Sequence, residues 1–254
     1  MIGIFDSGVG GLTVVKEIKR ELPDAPIVYF GDTARLPYGN KSQETIQKYA
    51  VEIVEFLKGK GCGTIVIACN SASALAVGYL RGKYPDMEIY DAVSSGAEAA
   101  AETTRSKKVG VIGTTATINS GIYKKKISEM DPKIEVIAKA CPLFVPLVEE
   151  NWIKRPETTR IARTYLRDLK HEKVDTLLLG CTHYPLLQKI IAGIMGRRTK
   201  VVASGRKMAE ELKKNIKEYK KSEDRYFVSD LTPHFKTLAE KILGKKVEIK
   251  KIDL

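Results

Sequence analysis

Short apolar runs punctuate the chain: Ile2–Phe5, Ile27–Phe30, Thr64–Ala68, Val109–Ile112, Ile134–Ala138, Thr176–Leu179 and Lys200–Ala203. They are continuous rather than alternating, which is how strands buried on both faces read. Between them lie amphipathic stretches of helical length. Ser42-Gln43-Glu44-Thr45 opens one with an N-cap hydroxyl and an acidic first turn, and Gly59 and Gly61 close it. Pro156-Glu157 starts another, with proline in the first turn where its missing N–H costs nothing. Past Met208 the chain becomes more polar, then offers one more strand, Arg225–Ser229, and one more helix, Pro233–Leu243. Strand–helix alternation of this kind predicts parallel sheets in an α/β fold.

The pattern also repeats. Gly3-Ile4-Phe5-Asp6-Ser7-Gly8 has an echo in Gly110-Val111-Ile112-Gly113-Thr114-Thr115, and Ile65-Val66-Ile67-Ala68-Cys69-Asn70 has one in Leu177-Leu178-Leu179-Gly180-Cys181-Thr182. The two echoes stand at nearly one offset. The expectation is two similar doubly wound lobes with mainly parallel sheets, related by a pseudo-twofold axis, with a cleft between them. Residues 1–93 with 208–254 would make the first lobe and residues 94–207 the second.

Composition narrows the class. The 254 residues are 43% hydrophobic and 29% charged, ordinary for a soluble globular chain. No apolar stretch approaches the roughly 18 residues of a membrane span; Thr64 to Leu80 is broken by Asn70, Ser71 and Ser73. Met1 runs straight into an apolar strand with no basic leader, so a cytoplasmic protein is expected. The four cysteines form no Cys-x-x-Cys pair and read as reduced thiols. The net charge of +12 could attract nucleic acid, but the basic clusters are scattered (Lys107-Lys108, Lys124–Lys126, Lys213-Lys214, Lys220-Lys221, Lys245-Lys246, Lys250-Lys251) and no aromatics interleave with them. They read as solvated surface, and nucleic acid is not the expected main partner.

The informative polar residues stand at strand ends. Asp6-Ser7, Asp32-Thr33, Cys69-Asn70-Ser71, Thr114-Thr115 and Cys181-Thr182-His183 each follow a predicted strand. Parallel α/β sheets bind ligands outside those carboxyl ends, so the five clusters are expected on one rim. Asp6-Ser7-Gly8-Val9-Gly10-Gly11 is a glycine-rich turn that either holds an anion on its N–H groups or is a tight turn needing positive φ. Asp6 disfavours an anion there and suits proton exchange with a thiol. Cys69 and Cys181 occupy matching places in the two half-repeats. If the lobes face one another, the two sulfurs reach the cleft from opposite sides, one acid–base group per face, as inversion at a carbon requires. An unperturbed thiol titrates near 8.5, within reach of both protonation states, and helix N-termini, expected after both cysteines, lower that value. His183 could orient Cys181 or exchange its proton. Spacing gives no support to a metal site on Cys181 and His183. Arg35-Leu36-Pro37-Tyr38-Gly39-Asn40 reads as a ligand-gripping loop, and Cys141–Glu150 as an apolar segment ending in two carboxylates, Glu149 and Glu150.

These blocks together resemble the cofactor-independent aspartate/glutamate racemase family over essentially the whole chain. They are Phe5–Thr13, Gly31–Gly39, Ala68–Ala74, Val111–Thr114, Cys141–Glu149 and Gly180–Leu186. The resemblance implies an isomerase that interconverts L- and D-glutamate, with aspartate or another amino acid as the alternative substrate. It implies Cys69 acting on D-glutamate and Cys181 on L-glutamate, Asp6 assisting Cys69, and Glu149 and His183 assisting Cys181. Ser7, Pro37, Tyr38, Gly39, Asn70, Ser71, Thr114, Thr182 and His183 would line the substrate site, with Asp6 beside them. It further implies a homodimer, no pyridoxal phosphate or other cofactor, and supply of D-glutamate for bacterial peptidoglycan. Two positions depart from the family: Ser71 stands where threonine is usual, and Ala203 where an aspartate is common.

Overall fold

The structure, a computed structural model, describes residues 1–216, 218–219 and 222–254; the Lys220-Lys221 pair lies outside them. The first half runs β1 (Ile2–Asp6), α1 (Leu12–Glu21), β2 (Ile27–Gly31), α2 (Gln43–Gly59), β3 (Thr64–Ile67), α3 (Asn70–Lys83) and β4 (Glu88–Asp91). Then α4 (Ala92–Thr103) leads to β5 (Lys108–Gly113), α5 (Thr115–Asn119), α6 (Ile122–Met130), β6 (Glu135–Ala140), α7 (Phe144–Glu149), α8 (Pro156–His171), β7 (Thr176–Gly180), α9 (Gln188–Met195) and β8 (Lys200–Ala203). Finally α10 (Ser204–Asn215) returns to β9 (Arg225–Val228), α11 (Pro233–Leu243) and β10 (Ile249–Lys251).

The strands make two all-parallel sheets, one ordered β10-β9-β2-β1-β3-β4 and the other β6-β5-β7-β8. The second order repeats the β2-β1-β3-β4 portion of the first, which is the structural form of the faint sequence echo. The polar tail adds β9 to the free side of β2. The central strands β1, β2 and β7 are buried at every residue, so their continuous apolar runs follow from cover on both faces.

Two expectations need correction. The runs near 134–138 and 200–203 are edge strands with partly exposed residues, not strands buried on both faces. Two further strands, β4 and β10, were not legible as runs, because Glu-Ile-Tyr-Asp and Ile-Lys-Lys carry too few apolar residues; both lie at the edges of the larger sheet.

The helix signals have clear counterparts. Ser42 Oγ accepts from Thr45 N at the start of α2, Pro156 sits in the first turn of α8, and Thr232 Oγ1 caps α11 ahead of Pro233. The chain passes between the sheets twice, at α4 and at α10. Asp91 caps α4 by accepting from Ser94 N at 2.9 Å, whereas Ala203 at the equivalent end of β8 gives α10 no side-chain cap.

Register sets the rim. Phe5 pairs with Ile67, and Gly113 with Gly180, so the chain leaves β1 and β3 side by side in one sheet and β5 and β7 side by side in the other. Asp6, Cys69, Thr114 and Cys181 follow directly from those positions.

Candidate active site

Asp6, the last residue of β1, is fully buried. Its carboxylate accepts from the N–H groups of Gly8 (3.2 Å) and Gly11 (2.8 Å) and from Thr182 Oγ1 (3.2 Å). Burial raises its pKa, against the lowering pull of His183 and of these donors. The glycine-rich turn therefore spends two amides on the protein's own aspartate, and no external anion is needed to satisfy them. Nor do its glycines adopt positive φ. They are required by close approach: a Cβ on Gly11 would lie 2.4 Å from Asp6 Cβ, and one on Gly10 would lie 2.5 Å from Thr182 Oγ1 and 2.6 Å from His183 Nδ1.

Cys69 leaves β3 and is the N-cap of α3, a 14-residue helix. Its thiol points to Ser7 Oγ at 3.7 Å, and the N–H of Ala72 in the first helical turn is aimed at the sulfur. Burial, with the Asp6 charge adding to it, pushes this thiol up to about 12. Cys69 is thus a neutral thiol at pH 7, with a helix N-terminus in place to receive negative charge if a proton leaves. The next residues reach across to the other half. Asn70 Oδ1 accepts from Tyr123 Oη, and Ser71 Oγ lies 3.0 Å from Thr114 Oγ1, which lies 3.1 Å from Thr117 Oγ1.

Cys181 leaves β7 at the matching place, but its surroundings differ from expectation. No α-helix begins there: a turn and a short 3₁₀ segment (Tyr184–Leu187) precede α9. A helix N-terminus therefore does not serve this sulfur; a histidine does. His183 Nδ1 lies 3.9 Å from Cys181 Sγ, and its Nε2 lies 2.5 Å from Glu149 Oε1. Burial opposes charge on the ring, but hydrogen bonds to Cys181 and Glu149 outweigh it and hold the imidazole pKa well above 6.5. Of the two carboxylates ending the apolar segment, Glu149 turns inward to His183, and Glu150 is exposed.

The loop over the site is anchored from behind. Buried Asp32 accepts from Tyr38 Oη, from Arg35 Nε (2.7 Å) and from Ser229 Oγ (2.9 Å). Arg35 also pairs with Glu52 and stacks on Tyr49, 4.0 Å from the ring centroid. These contacts fix Pro37, Tyr38 and Gly39 against the other half, where a Cβ on Gly39 would meet Thr114 Cβ at 2.7 Å.

An enclosed cavity lies between the two rims. Its lining is Ser7, Pro37, Tyr38, Gly39, Cys69, Asn70, Ser71, Thr114, Cys181, Thr182 and His183, together with Val145. Of the sequence-predicted residues, Asp6 and Glu149 are the ones outside that lining; they stand behind Thr182 and His183 as hydrogen-bond partners. Val145, Thr117 and Tyr123 were missed. Thr117 closes the hydroxyl cluster and could have been suspected three residues after Thr114; Val145 and Tyr123 carry no sequence signal beyond an apolar helical position. Cys62 and Cys141 do not line the cavity, and burial pushes their thiols up to about 11 and about 12. Among the described residues, no group of three or more His, Cys, Asp or Glu side chains is arranged to hold a metal ion. A second, open depression around Lys19, Asp224 and Lys245 contains no candidate residue.

Residues 2–220 match the Asp/Glu/Hydantoin racemase family. The glutamate racemase of Geobacter metallireducens is 46% identical over 97% of this chain and 93% of its own. The solved glutamate racemase isoform RacE1 of Bacillus anthracis superposes with a TM-score of 0.94 at 36% identity, covering 100% of this chain and 97% of that one. The glutamate racemase of Francisella tularensis, solved with D-glutamate, gives 0.91 at 35% identity, covering 100% and 97%.

Proposed function

The chain belongs to the Asp/Glu/Hydantoin racemase family, and from that premise we propose that it interconverts L- and D-glutamate by two-base proton transfer at Cα. Two thiols at corresponding strand ends, both bordering one enclosed cavity, are the observation that carries the reading. Cys181, as thiolate, removes the Cα proton of L-glutamate; the electron pair left on carbon is spread into the adjacent carboxylate. Cys69, as thiol, gives its proton to the opposite face. D-glutamate forms, Cys181 ends as thiol, and Cys69 ends as thiolate. The reverse reaction runs the same steps backwards.

The surroundings suit that asymmetry. A protonated His183 stands beside Cys181, so negative sulfur there has a counter-charge backed by Glu149. Burial, and after it the Asp6 charge, keep the proton on Cys69, while the Ala72 N–H is ready for the thiolate formed on donation. Ser7, Pro37, Tyr38, Gly39, Asn70, Ser71, Thr114, Thr182 and His183 hold the substrate. Their hydroxyls, amides and backbone N–H groups grip its carboxylates without a guanidinium clamp.

The proposal extends to a cytoplasmic homodimer that supplies D-glutamate for peptidoglycan, with lobes 1–93 plus 208–254 and 94–207. Among the described residues, no helix is long and apolar enough to cross a membrane. The test is circular dichroism of L-glutamate incubated with chelator-treated protein and no added cofactor. Optical activity should decay to zero. Retained optical activity with L-glutamate, alongside turnover of L-aspartate, would move the substrate to aspartate.

A further inference from the structure

Tyr123 stands on α6, in the half opposite Asn70, and is buried. Its hydroxyl donates to Asn70 Oδ1 at 2.5 Å; the Ala92 carbonyl, at the start of α4, is more distant at 3.4 Å. A tyrosine hydroxyl has one proton to give. Given to Oδ1, it fixes the amide with the nitrogen on the other side. That nitrogen is buried and has no partner, although its residue borders the cavity.

The placement is tightly built. A Cβ on Gly96 would lie 3.0 Å from Tyr123 Oη, and a Cβ on Gly180 would lie 3.0 Å from Tyr123 Cε2 and 2.8 Å from the Ile112 carbonyl. Two glycines from two elements thus leave room for this ring. Burial also pushes the hydroxyl pKa well above 10, so the group stays a donor across the working range.

We infer that Tyr123 is a positioning residue: it locks the Asn70 side chain so that its amide N–H₂ group donates to a carboxylate of the substrate. The inference rests on the racemase reading, and it adds a role for a residue that touches no substrate.

A double-mutant cycle tests it. Tyr123→Phe removes the hydroxyl alone and should lower kcat/KM for glutamate about tenfold, the cost of one misdirected hydrogen bond to a charged group. In an Asn70→Ala background, the same change should have no further effect. A full loss in both backgrounds, or none in the single variant, overturns the inference. Asn70→Asp sets a carboxylate against the substrate carboxylate and should be worse than Asn70→Ala. The opposite order would mean that the amide oxygen faces the ligand, and would also overturn it. A second readout is independent of turnover: the Asn70 side-chain ¹⁵N–¹H pair should shift in Tyr123→Phe. A shift in Tyr123→Phe, alongside wild-type protein that leaves glutamate unchanged, would sink the activity and spare the positioning. Active wild-type protein, with no shift on going to Tyr123→Phe, would do the reverse.

Discussion

Glu149 Oε1 lies 2.5 Å from His183 Nε2, on the side of the imidazole away from Cys181. The ring therefore bridges a carboxylate on one edge and a thiol on the other. Because the folded pKa of His183 is raised above 6.5, its stabilising contribution is complete below pH 6.5 and is lost as pH rises through the higher folded value. Glu149→Gln removes one raising partner and leaves burial less opposed, so the folded pKa falls. The alkaline limb of the racemisation profile should move to lower pH. Stability above pH 6.5 should also become less sensitive to pH. Profiles of kcat/KM and urea midpoints across pH 6 to 10 check both; an unmoved limb would remove His183 from the proton chemistry.

Two bases on opposite faces leave an isotopic signature. In D₂O, product formed early from L-glutamate should carry deuterium at Cα, while recovered substrate should not. Equal label in both pools would point to one base serving both faces. Cys69→Ala and Cys181→Ala should each lower racemisation at least about a hundredfold, the usual worth of a placed acid or base. Cys→Ser variants should still eliminate a leaving group from a suitable analogue, because that reaction needs one face only.

Gly10 offers a test of packing around the same histidine. Gly10→Ala would drive a methyl into Thr182 Oγ1 and His183 Nδ1. Overpacking of this kind costs about 1–3 kcal/mol of stability. Activity should fall by far more than the stability change would suggest, since both displaced groups border the cavity. Chemical denaturation and kcat/KM on one preparation separate the two; a variant with normal kcat/KM would show that the site absorbs the methyl elsewhere.

Ala203 predicts a gain. It is the N-cap of α10 and supplies no side-chain acceptor, while Asp91 does so for α4. Ala203→Asp should stabilise the protein by about 1 kcal/mol and raise Tm by about 2–4 °C, as read by calorimetry. An unchanged Tm would mean that the first N–H groups of α10 are already satisfied.

Much of the fold was legible because parallel strands under helices on both faces leave continuous apolar runs. β1, β2, β3 and β7 announced themselves in that way, and edge strands β4 and β10 did not, since half of their surface faces water. The thiols were legible as polar punctuation at strand ends. The surroundings of Cys181 were not: Cys-Thr-His reads like the start of a helix, and only Pro185 and the 3₁₀ turn at Tyr184–Leu187 delay it. Glu149 and Glu150 are indistinguishable as neighbours in sequence, and the helical phase of α7 chooses between them. Tyr123 could not be found at all from the chain, because its importance lies in a partner 53 positions away.

The double passage of the backbone through α4 and α10 has a mechanical consequence. Joined by one connection, two sheets could turn about it; joined by two helices packed side by side, they are restrained from turning about either. The placement of Cys69 and Cys181 on one cavity is therefore held by these two connections as well as by the strands that end at the sulfurs.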